Sequence, residues 1–227
     1  MKGNWYKMRN IKILGLALVA MFSMSAVMAV SASADTLTAS SYPAVLTGTA
    51  DEENGFKDTF TTTAGTVKCP DTHYDGPTIT GPLNGTTTKV IVTPTYPAAG
   101  CTGFGFPATI HHGNCNYEFK VLAGTAGTVN LECSSGELTI TAIGAGTTKC
   151  TVHVPSQTDI PGTISYKNVA GGKITVEANL TGLIYKHTAG TGVGACPNGS
   201  AVNGTFTAKA FISAQTHAGV AIPLILS

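Results

Sequence analysis

Cysteine is the residue type with the clearest chemical potential in this chain of 227 residues. The even number of cysteines, six, predicts three disulfides formed in an oxidising compartment. Cysteines can instead bind zinc, but zinc-binding cysteines usually occur as C-x-x-C pairs, and that spacing is absent from the sequence. We therefore expect structural disulfides. The cysteines are Cys69, Cys101, Cys115, Cys133, Cys150 and Cys196.

Local patterns give an expected pairing of these cysteines. Cys133 and Cys150 each share the apolar face of an alternating segment, so both should point inward from neighbouring strands. Cys101 and Cys115 flank a loop rich in Gly, Phe and Pro, which a disulfide would close, and the last two cysteines are left for a long closure. The expected pairs are Cys133–Cys150, Cys101–Cys115 and Cys69–Cys196.

The histidines offer one possible metal site. His111 and His112 precede Cys115 with H-x-x-C spacing, but a disulfide at Cys115 would remove the thiolate that ligation needs. We expect this histidine pair to be solvated in its Gly/Asn-rich loop. We expect His153 on an outer sheet surface, because it alternates with valines. The remaining histidines, which should lie alone near turns, are His73, His187 and His217.

Acidic residues form two groups, one around Asn54-Gly55 and one before Gly76-Pro77. Extracellular β-domains use such loops to bind Ca²⁺, but neither group matches a defined calcium loop, so we expect hydrated turns. A glycoside hydrolase would have to draw its paired carboxylates from the same residues. These residues are Asp51, Glu52, Glu53, Asp58, Asp71 and Asp75.

Motifs for nucleophilic catalysis and phosphate binding are missing. The sequence contains no G-x-S-x-G, and Gly103-Phe104-Gly105 is not followed by a helical pattern, so it does not predict a dinucleotide-binding loop. We therefore expect no catalytic residue, no metal and no cofactor.

Residues 1–34 have the order of a secretory signal peptide. A basic start containing Lys2 and Arg9 precedes a nearly uncharged apolar run, and Ala32-Ser33-Ala34 supplies the small residues of a cleavage site before Asp35. The apolar run is also close to the length of a membrane anchor, but its A-x-A end favours cleavage. We predict an exported protein.

The composition after residue 34 narrows the function further. The remaining segment has no Arg and no Trp, and its nine Lys are outnumbered by twelve acidic residues, which gives a net charge near −3. Nucleic-acid binding depends on a dense positive surface, so we do not expect this protein to bind nucleic acid. A Trp platform for stacking sugars is absent as well.

Alternation of apolar and polar residues dominates the rest of the chain. It is unbroken over Lys173–Leu180 and Thr205–Ile212, and clusters of Gly, Pro, Asn and Ser separate such runs. We predict an all-β single domain over residues 35–227: an antiparallel β-sandwich, Ig-like or related, or a partly closed barrel, stapled by disulfides. Asp35–Thr66 gives only weak signals and is expected to form edge strands. The other predicted strands are Lys89–Thr93, Tyr117–Leu122, Thr128–Cys133, Glu137–Ala142, Thr147–Val154, Thr163–Asn168 and Val220–Leu226.

Threonine is overused at expected outward positions such as Thr139 and Thr141. A regular threonine array could order water or contact a partner. The ordinary explanation is that Thr suits the solvent-facing side of strands, and the sequence lacks the regular repeat that a water-ordering surface needs.

Several blocks carry a family resemblance. These are Gly100–Thr109 leading to Gly113–Tyr117, and Thr128–Cys133 followed by Leu138–Thr141 and Cys150–Pro155. Together with the leader, they resemble small secreted Gly/Thr-rich, six-cysteine β-proteins of actinobacterial type. Because the shared positions are cysteines and turns, the resemblance implies a fold and brings no catalytic residue.

The functional hypothesis is a secreted structural or binding module acting at or outside the cell surface, on a surface component or a small ligand. One alternative is a metal-dependent hydrolase that uses the loop histidines and acids. Another is a carrier with an apolar pocket. A convergent cluster of histidines and acids would favour the enzyme, an enclosed cavity the carrier, and an exposed Thr/Tyr face the binding module.

Overall fold

A computed structural model describes residues 36–51, 55–84, 89–120 and 127–227. The leader and its cleavage site before Asp35 lie outside these ranges, as do Glu52 and Glu53. The described residues form strands, turns and loops without a helix, so none of them belongs to a helix long and apolar enough to cross a membrane.

The described residues form eighteen strands. The strands are β1 Thr36–Ala39, β2 Ala44–Ala50, β3 Asp58–Thr62, β4 Gly65–Cys69, β5 His73–Ile79, β6 Leu83–Asn84, β7 Lys89–Thr95, β8 Thr102–Gly103, β9 Phe106–His111, β10 Cys115–Lys120, β11 Gly127–Cys133, β12 Leu138–Gly144, β13 Thr147–Val154, β14 Gln157–Val169, β15 Lys173–Ala189, β16 Gly199–Gln215, β17 Ala221–Ile222 and β18 Leu224–Leu226. Buried and more exposed residues alternate in strands such as β2, β3 and β12.

The pairings close two circuits of antiparallel strands that share the hairpin β15–β16. One circuit runs β16-β2-β5-β7-β10-β11-β14-β15. The other runs β15-β13-β12-β9-β8-β4-β3-β16. This architecture confirms the predicted all-β, antiparallel, disulfide-stapled class. Closure leaves few free strand edges for unspecific pairing.

The shared hairpin serves both circuits because its two strands are 17 residues each. The first half of β15 pairs with β14 and its second half with β13. The change of partner coincides with register shifts between Leu180 and Tyr185. Gly182 lies inside this irregular stretch with a φ of 72°, a left-handed conformation that glycine adopts without strain.

The buried hydrophobic residues among those described form two main cores and a small third cluster of Tyr74, Val92 and Ala210. The larger core is built mainly from β3, β4 and β9 to β15, and it includes Ile140, Val152 and Tyr185. The smaller core, which we call the capped core, includes Leu46 and Ile174. It is covered by a three-stranded sheet of order β18-β1-β6.

The expectation that Asp35–Thr66 forms edge strands is wrong for β1, β2 and β3. β1 is the central strand of the capping sheet, β2 lies between β16 and β5, and β3 lies between β4 and β16. Their signals were weak because Thr and small residues fill them, yet tertiary pairing gives both edges a partner.

All six cysteines form disulfides, but the expected pairing is wrong at every bond. The observed bonds are Cys69–Cys101, Cys115–Cys133 and Cys150–Cys196. Cys115 and Cys133 lie directly opposite each other in the β10–β11 pair. Cys150 lies on β13, which pairs with β12 and β15 and not with β11, so Cys133 is out of its reach. Pairing of β4 with β8 brings Cys69 beside Cys101.

Candidate functional site

The predicted metal-binding group around His111 is not assembled. His111 is exposed at the end of β9, and Cys115 is oxidised. His112 departs from the expected solvated state, because it is half-buried and its Nδ1 is enclosed without a hydrogen-bond partner. Among the described residues, no three His, Cys, Asp or Glu side chains are placed to hold a metal ion.

His153 lies on the outer surface as expected and has a partner that the sequence did not indicate. Its Nδ1 is 2.5 Å from Oε1 of Glu137. Glu137 directly precedes β12, and His153 lies near the end of β13, the strand that pairs with β12. The two side chains form a local polar contact on the surface of the sheet.

His187 was expected near a turn, and this expectation is wrong. It lies inside the long strand β15, is 2% exposed, and packs against Tyr185 at a centroid distance of 4.9 Å and Phe104 at 6.4 Å. Its Nε2 has no hydrogen-bond partner. Burial lowers the pKa of His187, because the larger core disfavours the charged imidazolium. His73 is exposed on β5, and only His217 lies at a turn.

The acidic residues divide into buried and exposed groups, which contradicts the expectation that all are hydrated. Asp51 is fully buried, and its Oδ2 lies 3.0 Å from Nζ of Lys209. Asp58 is also buried, whereas Asp71 and Asp75 are exposed. The two buried carboxylates therefore contribute to the interior and not to a hydrated turn.

Asp58 belongs to a buried polar cluster that the sequence analysis missed. The Tyr74 hydroxyl donates a hydrogen bond to Asp58 Oδ2, while Asp58 Oδ1 has no hydrogen-bond partner. Close by, the hydroxyls of Tyr96 and Tyr117 lie 2.9 Å apart. Asp58 starts an alternation whose next inward residue is Phe60, and this signal could have placed the carboxylate inside.

Burial sets the protonation behaviour of this cluster. It raises the pKa of Asp58 to about 6, although hydrogen bonds from the Tyr74 and Thr72 side chains act in the opposite direction. Burial together with the Asp58 charge raises the pKa of Tyr74 well above its ordinary value. Burial also raises the pKa of Tyr117 to about 12. Asp58 is thus the member of the cluster that titrates near neutral pH.

Three small interior cavities lie in series beside this cluster. The largest, about 80 Å³, has an apolar lining that includes Val129 and Ala208. A second, about 40 Å³, is lined in part by Asp58, and a third, about 30 Å³, lies toward the capped core. The first two cavities share three wall residues. These are Tyr117, Leu180 and Phe206.

Two of the shared wall residues form a partition. The rings of Tyr117 and Phe206 are stacked with centroids 5.9 Å apart and an interplanar angle of 22°.

On the outer surface, four threonines stand side by side on four neighbouring strands. Each lies directly opposite the next in the β-sheet register, and Thr188 at the end is exposed. We call this row the first threonine ladder: Thr109, Thr141, Thr151 and Thr188. A parallel row on the same strands carries basic and polar side chains: His111, Thr139, His153 and Lys186.

A second row lies on the far part of the same circuit, across β4, β3 and β16. Thr61 pairs with Thr66 on one side and Thr205 on the other, and the hydroxyls of Thr61 and Thr66 are 3.4 Å apart. We call these three residues the second threonine ladder. The sequence showed that threonine is abundant, but the alignment across strands depends on register, which a single sequence does not specify.

Comparison with known proteins adds no name to these features. No family model, no curated protein and no solved structure matches the chain.

Proposed function

We propose that this protein is an extracellular binding module whose first threonine ladder contacts a neutral, hydroxyl-rich polymer such as an envelope polysaccharide. The in-register alignment of four threonines is the observation that carries the proposal. Three disulfides support an oxidising, extracellular setting.

The chemistry of the ladder suits such a polymer. Every threonine hydroxyl both donates and accepts hydrogen bonds, as a sugar hydroxyl does. With neighbouring strands about 4.8 Å apart, four side chains extend over roughly 14 Å, a length suited to a few sugar units. The threonine methyl groups add apolar contact between the hydroxyls.

The arrangement of the remaining groups favours binding over hydrolysis. His153 is paired with Glu137, and the buried acids Asp51 and Asp58 point into separate interior contacts. A glycosidase needs two carboxyl groups flanking one bond in an accessible cleft. The first ladder presents hydroxyls alone, so it suits recognition without cleavage.

The test is binding of the oxidised, secreted protein to insoluble cellulose, chitin and mannan in sedimentation assays. The variant Thr141→Val/Thr151→Val removes two hydroxyls while keeping branched side chains that suit a strand. We expect retention on at least one polymer and roughly tenfold weaker binding by the variant, because two hydrogen bonds contribute about 0.5–1.5 kcal/mol each.

The matched control is Thr61→Val/Thr205→Val, which makes the same change in the second threonine ladder. Binding by this control should equal that of the wild type. Equal loss in both variants, or no retention of the wild type on any neutral polymer, would contradict the proposal.

A further inference from the structure

We propose that the interior of the protein contains a separate binding site for a small, mainly apolar molecule that carries one hydrogen-bond donor. In this site Asp58 Oδ1 accepts the donor, and the adjoining apolar cavity encloses the body of the molecule. The inference is independent of the threonine ladders.

The unpartnered oxygen of Asp58 is the first observation. Asp58 is 3% exposed, and its Oδ1 has no hydrogen-bond partner while Tyr74 bonds to Oδ2. A buried acceptor left unpaired destabilises a fold, so native proteins usually provide a partner. Since Asp58 lines the 40 Å³ cavity, a donor placed there would supply the missing bond.

The second observation is the apolar space beyond this oxygen. The 80 Å³ cavity is lined by side chains such as Val176, Ala178 and Ile212, and it exposes no polar surface. This cavity and the 40 Å³ cavity beside Asp58 share three wall residues, so an apolar group in the first would lie next to a donor in the second. The stacked rings of Tyr117 and Phe206 line both cavities, so a ligand that occupies both must displace this pair.

A single water molecule is the competing occupant. Water could fill the cavity beside Asp58, because about 10–15 Å³ is sufficient for it and the site is polar. In the neighbouring apolar cavity a water molecule would find no hydrogen-bond partner, so that cavity stays dry or takes an apolar group. A molecule with a hydroxyl at one end and a ring at the other matches both parts of the space.

The groups around Asp58 also define the polarity of the ligand. The side chains of Tyr74 and the buried Thr72 already act as donors toward the carboxylate, and the Tyr96 and Tyr117 hydroxyls bond to each other. The unpaired atom is therefore an acceptor, which selects a donor such as a phenol or an alcohol over a ketone or a hydrocarbon.

The test uses the full mature chain with its disulfides intact and the matched probes phenol and toluene. We expect phenol to bind roughly tenfold more tightly than toluene by NMR titration at neutral pH, which reflects a hydrogen bond to a charged acceptor. The ring signals of Tyr117 and Phe206 should shift, because both residues line the joined space.

Two variants locate the effect. In Asp58→Asn, the amide oxygen can keep the Tyr74 bond, so the amide nitrogen turns toward the cavity and the preference for phenol is lost. Asp75→Asn changes an exposed carboxylate on β5 and should keep the wild-type preference. Equal binding of phenol and toluene by the wild type, absence of binding, or shifts confined to the surface would overturn the proposal; the wild-type comparison decides the matter even if a variant fails to fold.

Discussion

The two hydrophobic cores are stabilised by different means. Five of the six cysteines belong to the larger core, and Cys133 packs against it. Three disulfides tie the strands and loops of this core together. The capped core has no cysteine among its members and relies on contacts of side chains such as Leu37 and Leu224 from opposite ends of the described chain. The larger core is therefore linked covalently, whereas the capped core depends on apolar burial and on pairing of its capping strands.

The buried titratable groups extend this comparison. The larger core surrounds both the base His187 and the acid Asp58, whose cavity is lined by core members such as Leu131. Burial lowers the pKa of His187 and raises that of Asp58, so both groups favour the neutral form. A change of pH should therefore alter the contributions of the two groups to the stability of this core in opposite directions.

Breaking the longest disulfide should have the largest effect. Cys150→Ala/Cys196→Ala opens a link with a sequence separation of 46 and should lower the free energy of unfolding by about 4 kcal/mol. Urea denaturation of the purified variants measures this. Cys115→Ala/Cys133→Ala, with a separation of 18, should cost about 3 kcal/mol, and a reversed order would contradict the loop-length explanation.

Removing apolar contact from the capping sheet should come next. Leu37 is buried in the central strand of that sheet, so Leu37→Ala should lower the free energy of unfolding by about 3 kcal/mol. Ile225→Ala changes an exposed side chain on the neighbouring strand and should cost at most about 0.5 kcal/mol. Similar losses in both variants would mean that the sheet does not cover a core.

These contrasts also show what the sequence could predict. The alternation in Thr147–Val154 predicted the observed strand β13 with the same bounds, since one face of that strand is buried along its length. By comparison, β15 and β16 extend well beyond Lys173–Leu180 and Thr205–Ile212. The extra residues switch partners, and partner exchange leaves no periodic signal.

The disulfides mark the limit of inference from alternation. Cys133 and Cys150 both point inward as expected, but sharing an inward direction does not make two strands neighbours. Which strands are neighbours depends on the tertiary structure, and the sequence alone allowed several pairings of the cysteines. Asp58 and His187 were missed for a related reason, because polar residues at inward positions were assigned to turns.

The pH dependence of stability should reveal Asp58. Its pKa is raised from 3.8 to about 6 in the folded protein, so between these values the folded state binds more protons than the unfolded chain. Stability from this group is therefore present below pH 4 and is lost as the pH rises through 6, by about 2–3 kcal/mol. Urea denaturation between pH 4 and 7 should show this loss in the wild type and not in Asp58→Asn, with Asp75→Asn as the control.

The smallest effect should come from His187, with the opposite sign. Because its pKa is lowered on folding, the unfolded chain binds more protons, and stability falls as the pH drops below about 6.5, the ordinary histidine value. His187→Phe keeps a ring against Tyr185 and Phe104 but does not titrate, so the difference in unfolding free energy between wild type and variant should change with pH only on the acid side. His73→Phe, at an exposed position on β5, should leave the pH dependence unchanged. A wild-type curve parallel to that of His187→Phe from pH 5 to 8 would mean that His187 accepts its proton in the folded core as easily as in the unfolded chain, and the two buried groups would then no longer be a matched pair.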